Sequence, residues 1–119
     1  KYYDLIIAVS ALEYVRTEHI LETKLLEMAM GTRSNGINCI IINSNIREVD
    51  LETDQVLEPQ FEVNLTTEAM LDILDRCYDG WDVQQRSVKY LEFDISRDER
   101  PVRLSSDCIT YVAKNGHSK

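Results

Sequence analysis

The order of hydrophobic patterns along the chain predicts an α+β fold, a ferredoxin-like two-layer sandwich with two helices on one face of an antiparallel sheet. Three observations point there. The apolar runs Leu5–Val9 and Cys39–Ile42, rich in Ile and Val, have the composition of strands buried on both faces. Apolar residues three and four apart, at Leu21, Leu25 and Met28 and again from Met70 to Trp81, have the period of helices. Residues 60–65 and 87–95 alternate as half-exposed strands do. The resulting order, β-α-β-β-α-β plus a C-terminal strand, makes the sandwich when crossovers are right-handed. One sheet face is then left bare, and a bare apolar face marks association, so an oligomer is expected.

Each element has a local reason. Asp4–Ser10 reads as the first strand. Thr17 is a candidate N-cap for a helix ending near Met30, with Glu18 in its first turn favouring the helix dipole. Gly31 is placed to stop that helix, and Thr32–Gly36 reads as a turn before a strand at Asn38–Asn43. Residues Ser44–Pro59 mix turn formers with scattered aliphatics and read as a long loop, a place where function concentrates. Phe61, Val63 and Leu65 then alternate with polar neighbours, and Thr66 and Thr67 begin the second helix. Met70, Ile73, Leu74, Cys77 and Trp81 line its buried face, with Gly80 at its end. A strand over Ser87–Ile95, a charged hairpin at Arg97–Arg100 and a last apolar segment at Cys108–Ala113 complete the pattern before a polar tail.

The 119 residues suit one domain, residues 1–119. With 21 acidic side chains against 13 Lys and Arg, the net charge is −8. That balance argues against a nucleic-acid binder, which wants a basic stripe for phosphates, and is compatible with a cationic small ligand. No apolar run approaches the ~20 residues that cross a bilayer, and no secretory signal is read, so neither a membrane nor export is expected. Cys39, Cys77 and Cys108 are odd in number, widely spaced and beside hydrophobic residues, which reads as reduced thiols in a cytosolic protein.

No strong chemical motif occurs. There is no P-loop, dinucleotide fingerprint or paired-cysteine zinc spacing, and His19 and His117 lack ligand-spaced neighbours, so neither a metal nor a cofactor is expected. Four weaker candidates remain. Ser10 ends an apolar strand, where a hydroxyl and backbone amides can hold a polar ligand, or it caps the next segment. Arg47, followed by Glu48, lies in the long loop and serves a ligand or a solvated turn. Glu58 precedes Pro59, which biases it toward extended backbone and fixes its direction. Glu68 sits in a first helical turn after two threonines, where capping alone accounts for it.

Taken together, several dispersed features resemble the phage-encoded S-adenosylmethionine (SAM)-degrading enzymes, in particular the environmental-phage SAM lyases. They are the aromatic-then-aliphatic first strand running into Val9-Ser10-Ala11, the Arg47-Glu48 pair, Glu58 before the third strand, Cys77 and Trp81 closing the second helix, and Val88 and Tyr90 after it. The chain departs from the better-known member in having Ile46 before the Arg-Glu pair, where that member has an aromatic, and one acidic residue before the proline, not two in tandem. The resemblance implies a homotrimer of GlnB-like α/β sandwiches (the PII signalling superfamily) with intersubunit active sites. It implies an enzyme with no cofactor that acts in the cytoplasm of an infected host, depleting SAM and so countering restriction-modification.

The implied reaction also accounts for the missing nucleophile and base. The substrate's own carboxylate displaces methylthioadenosine from the γ-carbon and closes homoserine lactone. Sulfonium and carboxylate charges are annihilated together, so no protein proton shuttle is needed. The site must hold the reacting atoms ~3–3.5 Å apart and in line, and exclude water. Glu58 is the expected catalytic anchor, gripping ribose hydroxyls or the α-ammonium, with Ser10, Arg47 and Glu68 binding substrate. The alternative is a PII-like regulator that binds SAM or an adenine nucleotide without turnover.

Overall fold

The structure, a computed structural model, describes residues 2–9, 17–57 and 64–116. Along the chain run β1 (Tyr3–Val9), α1 (Glu18–Met30), β2 (Thr32–Asp50), β3 (Val56–Leu57), α2 (Thr67–Cys77), β4 (Asp82–Arg97) and β5 (Arg100–Lys114). The five strands form one sheet in the order β1-β2-β5-β4, with β3 beside the far end of β2.

This is a mixed α/β fold, and it corrects the expected ferredoxin-like, GlnB-like sandwich with its antiparallel sheet. β1 and β2 are direct neighbours and parallel, Ile7 opposite Cys39 and Val9 opposite Ile41, whereas the expected fold splits that pair with another strand. A β-α-β pattern requires a helical crossover but does not say whether a strand is inserted between its two strands. Here the other side of β2 is taken by β5, antiparallel from Ile37↔Lys114 to Asp50↔Val102. β5 is in turn delivered by its long hairpin with β4. The turn of that hairpin, Asp98-Glu99, has φ of 53° and 66°, the paired left-handed conformation whose twist matches two-residue hairpins. The strand expected over 60–65 falls mostly on residues outside those described; Asn64 and Leu65 are not in a strand.

β2 is the larger surprise. It runs 19 residues, absorbing both the expected turn at 32–36 and the first part of the expected loop. Near its middle lies a bulge: Ser44 pairs with Asp107 and Arg47 with Ser105, so three steps along β2 match two along β5. Asn45 takes the extra residue's strain with φ of 51°, a left-handed conformation that Asn tolerates. Beyond the bulge Ile46, Glu48 and Asp50 are buried while Arg47 is exposed.

Both helices lie on one face. Thr17 caps α1 by accepting from Ile20 N–H at 3.1 Å, and Thr66 caps α2 by accepting from Ala69 N–H at 3.1 Å. α2 ends at Cys77, earlier than expected, and Trp81 packs edge-on against Tyr78 with ring centroids 4.9 Å apart. Leu21, Leu25, Met70, Ile73 and Leu74 of the helices bury against Ile40, Ile42, Ile109 and Tyr111 of the sheet. A buried polar chain crosses this core: Tyr78 OH donates to Asn38 Oδ1 at 2.7 Å, and Asn38 Nδ2 donates to Thr32 Oγ1 at 2.6 Å.

The opposite face is bare along β1 and the first half of β2, and covered only beyond the bulge, where Glu48, Asp50 and Val102 are buried. Leu5, Ile7 and Val9 are 55%, 58% and 53% exposed, beside Ile37, Cys39 and Ile41 of β2. β4 is an edge strand of 16 residues, exposed along nearly its whole length. The hairpin makes the molecule long, 58 × 24 × 20 Å, with a radius of gyration of 16.2 Å. A compact chain of this length would have about 13–14 Å.

Candidate functional site

Three elements meet where β2 bulges. Thr67, the first residue of α2, donates its hydroxyl to Asp107 Oδ2 of β5 at 2.6 Å. Ser44 of β2, fully buried, places Oγ 2.9 Å from Thr67 Oγ1 and 3.2 Å from the Asp107 carbonyl oxygen. Because Thr67 spends its one proton on the carboxylate, Ser44 donates to Thr67 Oγ1 or to that carbonyl. The segment entering α2 is tied to the bulge as well. Asn64 Oδ1 accepts from Ile46 N–H at 2.8 Å and its Nδ2 donates to Ile46 C=O at 2.9 Å, while Asn45 N–H reaches Leu65 C=O at 2.7 Å.

Strand register extends this knot into a patch. Ile42, Ile109 and Val88 form one row across the sheet on the helix side. The next row on that side is Ser44, Asp107 and Tyr90, and the one after is Arg47, Ser105 and Glu92. Tyr90 is 60% exposed, and its hydroxyl donates to Glu92 Oε2 at 2.9 Å. With strands ~4.8 Å apart, three of them make a patch about 10 Å wide, the scale of a nucleoside. It offers hydroxyls, carboxylates, a guanidinium and an aromatic ring, a set able to grip a ribose diol, an ammonium or sulfonium cation and a carboxylate.

Of the residues singled out by sequence, Ser10 and Glu58 lie outside the described residues. The chain enters them from Val9, opposite Ile41, and from Leu57, opposite Glu48. Arg47 and Glu48 are not a working pair: successive strand residues face opposite sides, so Arg47 joins the patch while Glu48 is buried on the face away from the helices. Glu48 accepts from Arg97 at 2.7 Å, and Asp50 pairs with Arg100 at 2.6 Å, closing the hairpin tip onto β2. Glu68 is exposed in the first turn of α2, beside an open depression of about 510 Å³ shared with Asp75 and Arg86. Arg86 grips Asp75 through two hydrogen bonds of 3.1 and 2.8 Å, and Tyr111 OH donates to the same carboxylate at 2.9 Å. The Arg86 guanidinium holds the Asp75 carboxyl below its ordinary range, against the opposing effect of burial.

The sequence does not single out Ser44, Thr67, Glu92, Ser105 or Asp107 as site residues, although Thr67 is legible as the start of a helix. The available signal was Ser105-Ser106-Asp107 interrupting an otherwise apolar strand. The cysteines form no disulfide among the described residues, and burial pushes the Cys77 thiol up to about 11, which leaves it inert at neutral pH. No His, Cys, Asp or Glu grouping suited to a metal occurs among the described residues, nor any helix long and apolar enough to cross a membrane.

No family model and no curated protein matches the chain. Among solved structures it is similar to TehB from Haemophilus influenzae, with a TM-score of 0.65 and 16% identity over 96% of this chain and 36% of that one. At that identity the likeness is one of fold, and this chain spans little more than a third of that chain's length.

Proposed function

We propose that the chain is a SAM lyase, one domain that cleaves SAM to methylthioadenosine and homoserine lactone. The observation that carries this reading is the patch formed by Asp107, Tyr90, Arg47, Ser105 and Glu92 over the buried Ser44 at the start of α2. It presents binding groups for a cationic nucleoside on a chain of net charge −8. The sequence features shared with phage SAM-degrading enzymes include two of its members, Arg47 and Tyr90.

The chemistry asks little of the protein beyond shape. The substrate carboxylate oxygen bonds to the γ-carbon as the carbon–sulfur bond breaks, the electron pair leaves on sulfur, and no proton moves. Arg47 orients the substrate carboxylate, Glu58 anchors ribose hydroxyls or the ammonium, and Ser10 and Glu68 complete the polar contacts. Positioning contributes most, because the reaction is already intramolecular and needs only a folded, in-line conformer.

The patch is open, and β4 and the bare sheet face are exposed. A homotrimer that shelters each patch beneath a neighbouring subunit supplies the dry enclosure that favours annihilation of the two charges. In an infected host's cytoplasm the reaction would drain the methyl donor that restriction-modification requires. Incubation with SAM, followed by chromatography for methylthioadenosine, tests the reading. Release of methylthioadenosine supports it; SAM bound intact makes the protein a SAM-binding regulator.

A further inference from the structure

Among the described residues four carboxylates are wholly or partly shielded from solvent: Glu22, Glu48, Asp50 and Asp107. Three have an arginine. Arg76 lies 3.3 Å from Glu22, Arg97 lies 2.7 Å from Glu48 and Arg100 lies 2.6 Å from Asp50. Asp107 has no such partner among the described residues; its Oδ2 accepts the Thr67 hydroxyl at 2.6 Å. A partly shielded carboxylate gains from a cation beside it, and this fold pairs the other three. Asp107 also shares its row with the exposed ring of Tyr90, whose face attracts a cation.

We propose that Asp107 is the counter-ion of the substrate's sulfonium. The inference rests on the SAM lyase reading and deepens it, assigning the positive charge to a residue other than Glu58 or Glu68. Thr67 holds the carboxylate, and Ser44 steadies Thr67 and the Asp107 backbone carbonyl, so the carboxylate meets the cation without reorganising. The sulfonium charge disappears as the carbon–sulfur bond breaks. An ion pair to it is therefore strongest in the bound substrate and weaker in the transition state. Asp107 then serves capture of the substrate, and its loss raises KM without lowering kcat.

The test is steady-state kinetics of Asp107→Asn on the full chain, which keeps an oxygen for Thr67 and removes the charge. KM for SAM should rise about ten-fold or more, as for a lost charge-assisted contact, with kcat equal to or above wild type. Inhibition by S-adenosylhomocysteine, which has the same ammonium but a neutral sulfide, should change less than about two-fold. Asp107→Glu keeps the charge and should recover most of the KM; it also reads the question if the Asn variant does not fold. Equal weakening toward SAM and S-adenosylhomocysteine, a fall in kcat at constant KM, or a Glu variant as poor as the Asn variant overturns the assignment. Wild-type protein that forms no methylthioadenosine fails the lyase reading instead. The affinities of wild type and Asp107→Asn for the two ligands then test the counter-ion alone.

Discussion

Glu48 Oε1 accepts a hydrogen bond from Arg97 Nη1 at 2.7 Å, joining the far end of β2 to the tip of the β4–β5 hairpin. The Glu48 side chain is 5% exposed and that of Arg97 28%, so the pair is largely withdrawn from water. Its neighbour Arg47 faces the other way, into the polar patch. One peptide unit thus separates a residue that holds the fold from one exposed on the polar patch.

Removing the arginine from such a pair leaves a buried charge without compensation. Arg97→Ala should destabilise the protein by roughly 2–3 kcal/mol, somewhat below the cost at a fully buried site. Urea unfolding measures it. A change below about 0.5 kcal/mol, the size of an ordinary surface substitution, would show that the pair is solvated.

The same residues explain how much of the fold was legible. Both helices, the Thr17 cap and the hairpin at Arg97–Arg100 follow from period, capping and turn chemistry, and they are present. The far half of β2 was hidden because its inward positions include Glu48 and Asp50, which hydrophobic alternation scores as surface. Their partners Arg97 and Arg100 lie some fifty residues away, beyond any local window. Sheet order was equally illegible, since it depends on which strand occupies the free side of β2. Of the patch, the sequence singles out Arg47 and Tyr90, while Asp107 becomes significant only through its contact with Thr67.

A second prediction concerns acid. Asp75 has its folded-state pKa lowered from the usual 3.8, chiefly by Arg86. A depressed carboxyl stabilises the fold fully above its unfolded value, and that contribution is lost as pH falls through the lower folded value. Asp75→Asn should therefore be less stable than wild type at neutral pH, with the gap closing below about pH 4. The side chains are 44% and 46% exposed, so the gap should stay under about 1 kcal/mol. A pH series of thermal melts of both proteins checks the sign; a gap that widens in acid contradicts it.

The acidic residues named from sequence are separable by charge-neutral substitution. Glu58→Gln should lower turnover roughly ten- to a hundred-fold through a lost charge-assisted contact. Glu68→Gln should damage turnover less than Glu58→Gln and cost only a few tenths of a kcal/mol of stability, because Gln keeps a polar contact and still suits a first helical turn. Comparison of kcat/KM and melting temperature distinguishes them. A folded, inactive Glu68→Gln with a near-normal Glu58→Gln reverses the roles.

Assembly gives a fourth expectation. Light scattering should return about three times 13.8 kDa for the wild type. Ile7 is 58% exposed on the bare face, and Ile7→Asp would place a charge there at little cost to a lone subunit. That variant should dissociate, keep its secondary structure by circular dichroism, and lose turnover. An active monomer removes the need for a site sheltered between subunits.

The central claim is that the substrate carboxylate, and not water, displaces methylthioadenosine. The most direct measurement is SAM cleavage in oxygen-18 water, sampled before the lactone hydrolyses. Methylthioadenosine should appear together with homoserine lactone carrying no solvent oxygen. No methylthioadenosine, or homoserine labelled from the earliest time points, would contradict the account.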